Sequence, residues 1–340
     1  MNQAISIDVG GTQIKWGLVS EAGEILLREQ EATEAQAGPM AVGAQIADIA
    51  RRVYETAPDP DAILGIGVGC PGLIDETREI NMFSPNLYNL DGTSWRDIPL
   101  VKHIKDALDA LGLSGRLDVR LENDVNAMVL GEFLYGAGRG VQDMIGMTLG
   151  TGVGGGLVLG GRLYRGAGST AGEIGHMTVV PDGPMCGCGN FGCLEALVGK
   201  AGLIERTLSA ITARGRTTSL EDSLDALKAL DDDAPQMIAK AAREGDAVAL
   251  EVFADTGRYI GTVLGSLANL INPELAVIGG GISRAGDVLF PHIEREVRAR
   301  AMKQPADTIR VVPAEHGNDA GMLGSAALIL RPDAAGIDAA

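Results

Sequence analysis

The segment Asp8-Val9-Gly10-Gly11-Thr12 has a counterpart further along the chain, Leu149-Gly150-Thr151-Gly152. At one offset Gly11 meets Gly150, Thr12 meets Thr151, and Gly17-Leu18-Val19 meets Gly156-Leu157-Val158. Each copy reads as an apolar strand, a glycine turn and a second apolar strand. A turn bare of side chains exposes backbone N–H groups and lets phosphate oxygens approach closely. One such turn carries little weight, but two in register imply two lobes that grip a polyphosphate, and hence a nucleotide, in a cleft. Gly10, Gly11, Thr12, Gly150, Thr151 and Gly152 are the candidate phosphate contacts.

A chain of 340 residues has room for two domains, each with its own core. Strands and helices alternate throughout, which indicates an α/β fold. Strands are expected over 4–8, 15–20, 24–28, 62–68, 117–121, 143–149, 155–159, 275–278 and 308–312. Helices are expected over 40–56, 100–111, 125–135, 288–302 and 320–330, with mostly helical chain from 200 to 272 around a polar stretch at 214–219. The expected division is a smaller α/β domain over 1–119 and a larger one over 120–317. A helix within 318–331 would pack back on the first domain, ahead of a disordered tail over 332–340.

The net charge of −17 argues against nucleic acid or an anionic membrane as partner. It does not exclude ATP, which backbone amides and Mg²⁺ can hold inside an acidic protein. The glycine-rich run 144–161 reads as a buried hairpin, and 247–272 carries Glu251, Asp255 and Arg258, so neither suits a membrane span. Gly257, Gly261 and Gly265 recur every fourth residue there, a smooth stripe for close packing. The early first strand leaves no room for a signal peptide, and a cytoplasmic protein is expected. The acidic run Asp231-Asp232-Asp233 reads as a solvated helix start before it reads as a metal site.

Cys186, Cys188 and Cys193 form a Cys-x-Cys-x₄-Cys loop with His176 upstream. Three thiolates and one imidazole are the set that tetrahedral Zn²⁺ prefers, and four protein ligands make such a site structural. A disulfide reading would leave one of the three cysteines over, and intracellular proteins seldom keep disulfides. Cys70 reads as a small buried residue.

Glu122-Asn123-Asp124 falls where a strand ends and a helix begins, the edge at which open α/β sheets collect ligands. Asp124 alone could be a helix cap. Beside two phosphate turns, it becomes the candidate carboxylate that accepts a hydroxyl proton during phosphoryl transfer. Asn123 can donate and accept hydrogen bonds, which suits a polyol. Glu173 and Glu195 flank the cysteine loop; they could be surface residues, yet an ion would fix that loop and position them to read hydroxyls. His176 can ligate through one ring nitrogen and direct the other toward substrate.

Assembled, these segments resemble the ROK family (repressors, open reading frames and sugar kinases) over about residues 4–330. Its motifs match Asp8–Thr12 with Lys15, Glu122–Asp124, 149–156, Glu173-Ile174-Gly175-His176 and the cysteine loop. The resemblance implies the two-lobed actin/hexokinase-like fold and transfer of the γ-phosphoryl of ATP, with Mg²⁺, to the 6-hydroxyl of a hexose. It assigns Asp124 as base, Asn123, Glu173, His176 and Glu195 as sugar ligands, and Gly72 and Asn86 as contacts from the smaller lobe. Gly279-Gly280-Gly281 resembles the adenosine-side loop. Asp8 would help position Mg²⁺; Lys15 would neutralise developing charge or be an exposed strand residue. Dimers are common in the family. Repressor members carry a helix-turn-helix ahead of the first phosphate hairpin, whereas few residues precede Asp8 here. Glucokinase is the activity the resemblance favours. The segment Asn86 to Trp95 is longer than in those enzymes, as in N-acetylhexosamine kinases (for N-acetylmannosamine or N-acetylglucosamine) and fructokinases of the family. A non-enzymatic sugar sensor is the remaining class.

Overall fold

The computed structural model describes residues 1–212 and 217–337, which group into two compact units. The first comprises Met1–Gly140, Leu157–Ala171 and the C-terminal stretch from Asn318; the second comprises Val141–Gly156 and Gly172–Gly317. These boundaries differ from the expected break at 119/120, because the helix after Asp124 remains with the first unit.

In the first unit β1 (Gln3–Val9) and β2 (Gln13–Ser20) form an antiparallel hairpin, with Val9 opposite Ile14, and β3 (Ile25–Ala32) extends it. After helix α1 (Pro39–Thr56), strand β4 (Ile63–Cys70) pairs parallel with β1. Ala4, Ile5 and Ile7 of β1 are fully buried on both faces, as a central strand covered on both sides requires. Short strands β5 (Leu73–Asp75), β6 (Ile80–Tyr88) and β7 (Ser94–Ile98) build a separate small sheet. The expected loop from Asn86 to Trp95 is therefore a hairpin; Asn89 N donates to Thr93 O at 2.7 Å, and Trp95 is fully buried. Helix α2 (Leu100–Ala110) leads to β8 (Asp118–Asn123), which pairs parallel with β4, and then to α3 (Asp124–Tyr135).

The second unit opens with β9 (Met144–Leu149) and β10 (Val153–Leu159), joined by the second glycine turn. At Leu157 the chain passes into the first unit, where the end of β10 pairs with β11 (Arg162–Tyr164), and it re-enters the second at Gly172. Helices α4 (Leu194–Val198), α5 (Lys200–Thr212), α6 (Leu224–Lys228), α7 (Ala234–Arg243) and α8 (Ala247–Ile271) follow. The polar stretch expected at 214–219 lies partly outside the described residues. Strand β12 (Leu275–Gly279) pairs parallel with β9 and with β13 (Arg310–Pro313), which is reached through α9 (Phe290–Arg300) and α10 (Lys303–Thr308). The glycine stripe of α8 packs on α9: a Cβ at Gly257, Gly261 or Gly265 would meet the Cβ of His292, Glu296 or Arg300 within 2.7 Å. Asp233 precedes the first residue of α7, so the acidic run is a helix start.

Helix α11 (Ala320–Leu330) belongs to the first unit; Ser6 Oγ donates to Met322 O at 2.7 Å. Residues 332–337 are ordered turns, contrary to the expected loose tail: Ala335 is fully buried and Ala334 O accepts Leu163 N. Residues 338–340 lie outside the described residues.

The duplication seen in the sequence is thus a duplication of sheets. One runs β3-β2-β1-β4-β8 and the other β11-β10-β9-β12-β13, the same order in each. No helix among the described residues is long and apolar enough to cross a membrane.

Candidate functional site

In the first unit the register of three parallel strands brings the acidic residues together. Asp8 of β1 stands opposite Gly69 of β4, and Gly69 opposite Glu122 of β8. Gly69 has no side chain, and a Cβ there would meet Ser325 Oγ at 2.8 Å and come within 3.8 Å of Asp124 Cα, so the backbone of Asp124 lies close to the strand that carries Gly69. Asn123 ends β8, and it rather than Asp124 caps α3: its Oδ1 accepts the amides of Val125 at 2.9 Å and Asn126 at 3.0 Å. Its Nδ2 donates to Gly72 O at 2.9 Å and to Asp124 Oδ1 at 3.1 Å. Both amide protons and the oxygen of Asn123 are engaged before any ligand arrives. Asp124 Oδ1 also accepts Val125 N at 3.0 Å, while no neighbouring residue donates to Oδ2 among the described residues.

The electrostatics follow from this crowding. Burial, and then the Asp8 charge, raise the Asp124 carboxyl from the ordinary range to about 6. Asp8 is itself pushed up by burial, with Lys15, its cross-strand partner, pulling the other way. The first glycine turn is closed by Gly10 N donating to Gln13 O at 2.9 Å. Thr33 pins it from both ends, its Oγ1 donating to Gly10 O at 2.8 Å and its N to Thr12 O at 3.0 Å. Nothing in the sequence around Thr33 signals this role, which depends on β3 lying beside β2. Asn86 is exposed on β6, and its carbonyl oxygen lies 3.0 Å from where a Cβ of Gly11 would sit.

In the second unit the thiols of Cys186, Cys188 and Cys193 and a ring nitrogen of His176 all lie within 4.8 Å of one another. Cys188 Sγ is 3.7 Å from Cys193 Sγ, and Cys186 Sγ is 3.6 Å from His176 Nδ1. Zn–S bonds of about 2.3 Å in a tetrahedron give sulfur-sulfur edges of about 3.8 Å, so the donor set fits Zn²⁺. His176 turns its other nitrogen, Nε2, to within 3.9 Å of Glu173 Oε2. The Glu173 carboxyl is raised by partial burial, an effect opposed by His176 and reinforced by Glu195.

Glu195 does more than the sequence suggests. Its Oε2 accepts Val153 N at 3.0 Å, and its Oε1 lies 3.5 Å from Cys186 Sγ. One carboxylate therefore joins the cysteine loop to the second glycine turn. A Cβ at Gly152 would fall 2.3 Å from Glu195 Oε2, so a side chain there would push the Glu195 carboxylate out of this position. Gly150 N donates to Gly152 O at 2.9 Å, and Thr151 at the tip is exposed. Gly280, at φ +90°, packs its Cα where a side chain would strike Leu149 O at 2.3 Å, and thereby seats the Gly279–Gly281 loop against the same turn. Gly281 O accepts Gln236 Nε2 at 2.9 Å.

A profile of the ROK family matches residues 4–331. A glucokinase of Halalkalibacterium halodurans is 38% identical over 336 residues, covering 97% of this chain and 95% of that protein. A glucokinase of Thermotoga maritima is 37% identical across 96% of both chains. A solved structure of a ROK family glucokinase from Streptomyces griseus, in complex with glucose and AMPPNP, matches with a TM-score of 0.75 at 32% identity. That match covers 96% of this chain and 99% of the other.

Proposed function

The chain belongs to the ROK family, and from that premise we propose that it is an ATP-dependent hexose kinase, a glucokinase. The γ-phosphoryl of ATP passes to the sugar 6-hydroxyl. The observation that carries the reading is the Asp124 carboxyl, whose pKa of about 6 suits a base near neutral pH and whose Oδ2 has no neighbouring donor among the described residues.

In this reading Asp124 accepts the 6-hydroxyl proton as that oxygen attacks phosphorus. Asn123, already saturated by α3, Gly72 and Asp124, serves mainly to hold the base in one rotamer. Glu173, His176 and Glu195 read the remaining hydroxyls, with Gly72 and Asn86 as contacts from the first unit. The backbone amides of Gly10–Thr12 and Gly150–Gly152 hold phosphate oxygens, and Gly280–Gly281 lies on the adenosine side. Lys15 offsets charge beside Asp8.

Oxygen donors suit Mg²⁺, and Asp8, a carboxylate raised by burial next to Asp124, is the residue that would hold it directly or through water; bound there, Mg²⁺ supplies charge neutralisation for the phosphates. Zn²⁺ in the Cys186, Cys188, Cys193 and His176 set would be structural. Its contribution is to fix His176, and through Cys186 the carboxylate of Glu195.

The β6–β7 hairpin favours a second reading, an N-acetylhexosamine kinase or fructokinase, because a longer border at Asn86 can admit a bulkier sugar. A coupled assay of ADP release across glucose, mannose, fructose, N-acetylglucosamine and N-acetylmannosamine decides between them. Highest kcat/KM with glucose supports glucokinase. A preference for an acetamido sugar or fructose replaces it, and no sugar-dependent ADP at all returns the sensor reading.

A further inference from the structure

Arg165 follows β11 and is only 7% exposed, and the carboxylate it meets, Glu122, is 2% exposed. Its Nε donates to Glu122 Oε2 at 2.7 Å; Nη2 lies 2.6 Å from the same oxygen as an ion-pair contact and makes no hydrogen bond of its own among the described residues. A guanidinium is seldom taken out of water unless something holds it in that geometry. The other oxygen of Glu122 faces the site: Oε1 accepts Asn123 N at 2.8 Å and Asn126 Nδ2 at 3.0 Å. Asn123 in turn caps α3 and donates to Asp124. An unbroken series of bonds thus runs from Arg165 through Glu122 and Asn123 to the carboxylate of Asp124.

Two further contacts fix Arg165 itself. Glu76 Oε1 lies 3.8 Å from its Nε, and the other Glu76 oxygen is buried with no hydrogen bond, so a second acid depends on the same cation. The carbonyl of Arg165 accepts Ala171 N at 2.8 Å, closing the loop that leads on to Glu173. Arg165 also ends the stretch that begins at the Gly150–Gly152 turn and runs through β10 and β11.

We propose that Arg165 is a positioning residue for phosphoryl transfer: acting through Glu122, it fixes the Asn123–Asp124 turn and so the direction in which the base points. This rests on the reading of Asp124 as the base. Displacing such a base by up to about 1 Å lowers kcat by as much as about a hundredfold, with much less effect on sugar KM.

The test compares Arg165→Lys, Arg165→Met and the double variant Arg165→Met with Glu122→Gln, each also in an Asp124→Asn background. The double variant removes both charges of the Arg165–Glu122 pair, leaving only Glu76 without its cation, and is expected to recover most of the melting temperature lost in Arg165→Met while kcat stays about tenfold or more below wild type. Arg165→Lys, which folds if Arg165→Met does not, keeps the charge but not the planar fork, and is expected to show the same split of lowered kcat and near-constant KM. In the Asp124→Asn background the Arg165 substitutions should cause no further loss. Recovery of kcat together with melting temperature in the double variant, or full additivity with Asp124→Asn, overturns the proposal and leaves a purely structural ion pair. If Asp124→Asn alone keeps near wild-type turnover, it is the assignment of the base that fails instead.

Discussion

Asn123 Nδ2 donates to Asp124 Oδ1 at 3.1 Å, and in doing so one helix-capping residue fixes the orientation of the carboxyl that follows it. Asp124 is thereby freed from capping, with Oδ1 held and Oδ2 open, and burial and Asp8 together raise its pKa. Several consequences of this arrangement can be measured.

The first concerns pH. A protonated Asp124 cannot accept the sugar proton, so kcat/KM should fall about tenfold per pH unit below a pKa near 6 and level off above it. Asp8→Asn removes the repelling charge and should move the acid limb to lower pH, whatever it does to the plateau. An acid limb unmoved in that variant would show that Asp8 is not what perturbs the base.

Stability has the opposite dependence. The folded carboxyl titrates higher than the unfolded one, so ionised Asp124 costs stability. That cost is absent below about pH 4, grows as pH rises through the two pKa values, and is complete above the folded one. Asp124→Asn should therefore melt higher than wild type at neutral pH and equally at acid pH. Thermal melts across that range check it, and a lower melting temperature at neutral pH would contradict it.

A pair of glycines separates ligand contact from packing. Gly152→Ala puts a methyl 2.3 Å from Glu195 Oε2, whereas at Gly150 a methyl meets nothing within 4 Å. Gly152→Ala is expected to lower the melting temperature and raise the sugar KM by displacing Glu195. Gly150→Ala should melt normally and raise the KM for ATP alone. Equal melting of the two variants would refute the assigned role of Glu195.

Metal analysis tests the cysteine loop. One zinc per chain is expected by elemental analysis, and its verified removal, or Cys188→Ser, should lower the melting temperature and weaken hexose binding measured by calorimetry. An unchanged melt after verified zinc loss contradicts a structural ion.

Much of this was legible before the structure. The repeated glycine turns mark β1–β2 and β9–β10, and the cysteine spacing marks the cluster that the three thiols form with His176, because both are local patterns. What eluded the sequence depends on chain segments far apart. Asn123 and Asp124 are both good cap residues; only the register of β8 against β4 decides that Asn123 takes the cap. The bond from Glu195 to Val153, the pinning of the first turn by Thr33, and the pairing of Arg165 with Glu122 join residues remote in sequence. The polar run around Asn89–Thr93 read as a loop from its composition, but its strands are held by Trp95, fully buried with its Nε1 donating to Tyr88 O at 3.0 Å.

The central claim is that Asp124 takes the proton from a hexose hydroxyl as phosphorus is transferred. Rapid-quench single turnovers with γ-labelled ATP and saturating glucose test it most directly, on wild type and on Asp124→Asn. Label should appear on the sugar 6-hydroxyl in the wild type, and about a hundredfold or more slowly in the variant, with hexose and ATP still bound. Transfer at a near wild-type rate by Asp124→Asn, or label released as inorganic phosphate instead of sugar phosphate, would contradict it.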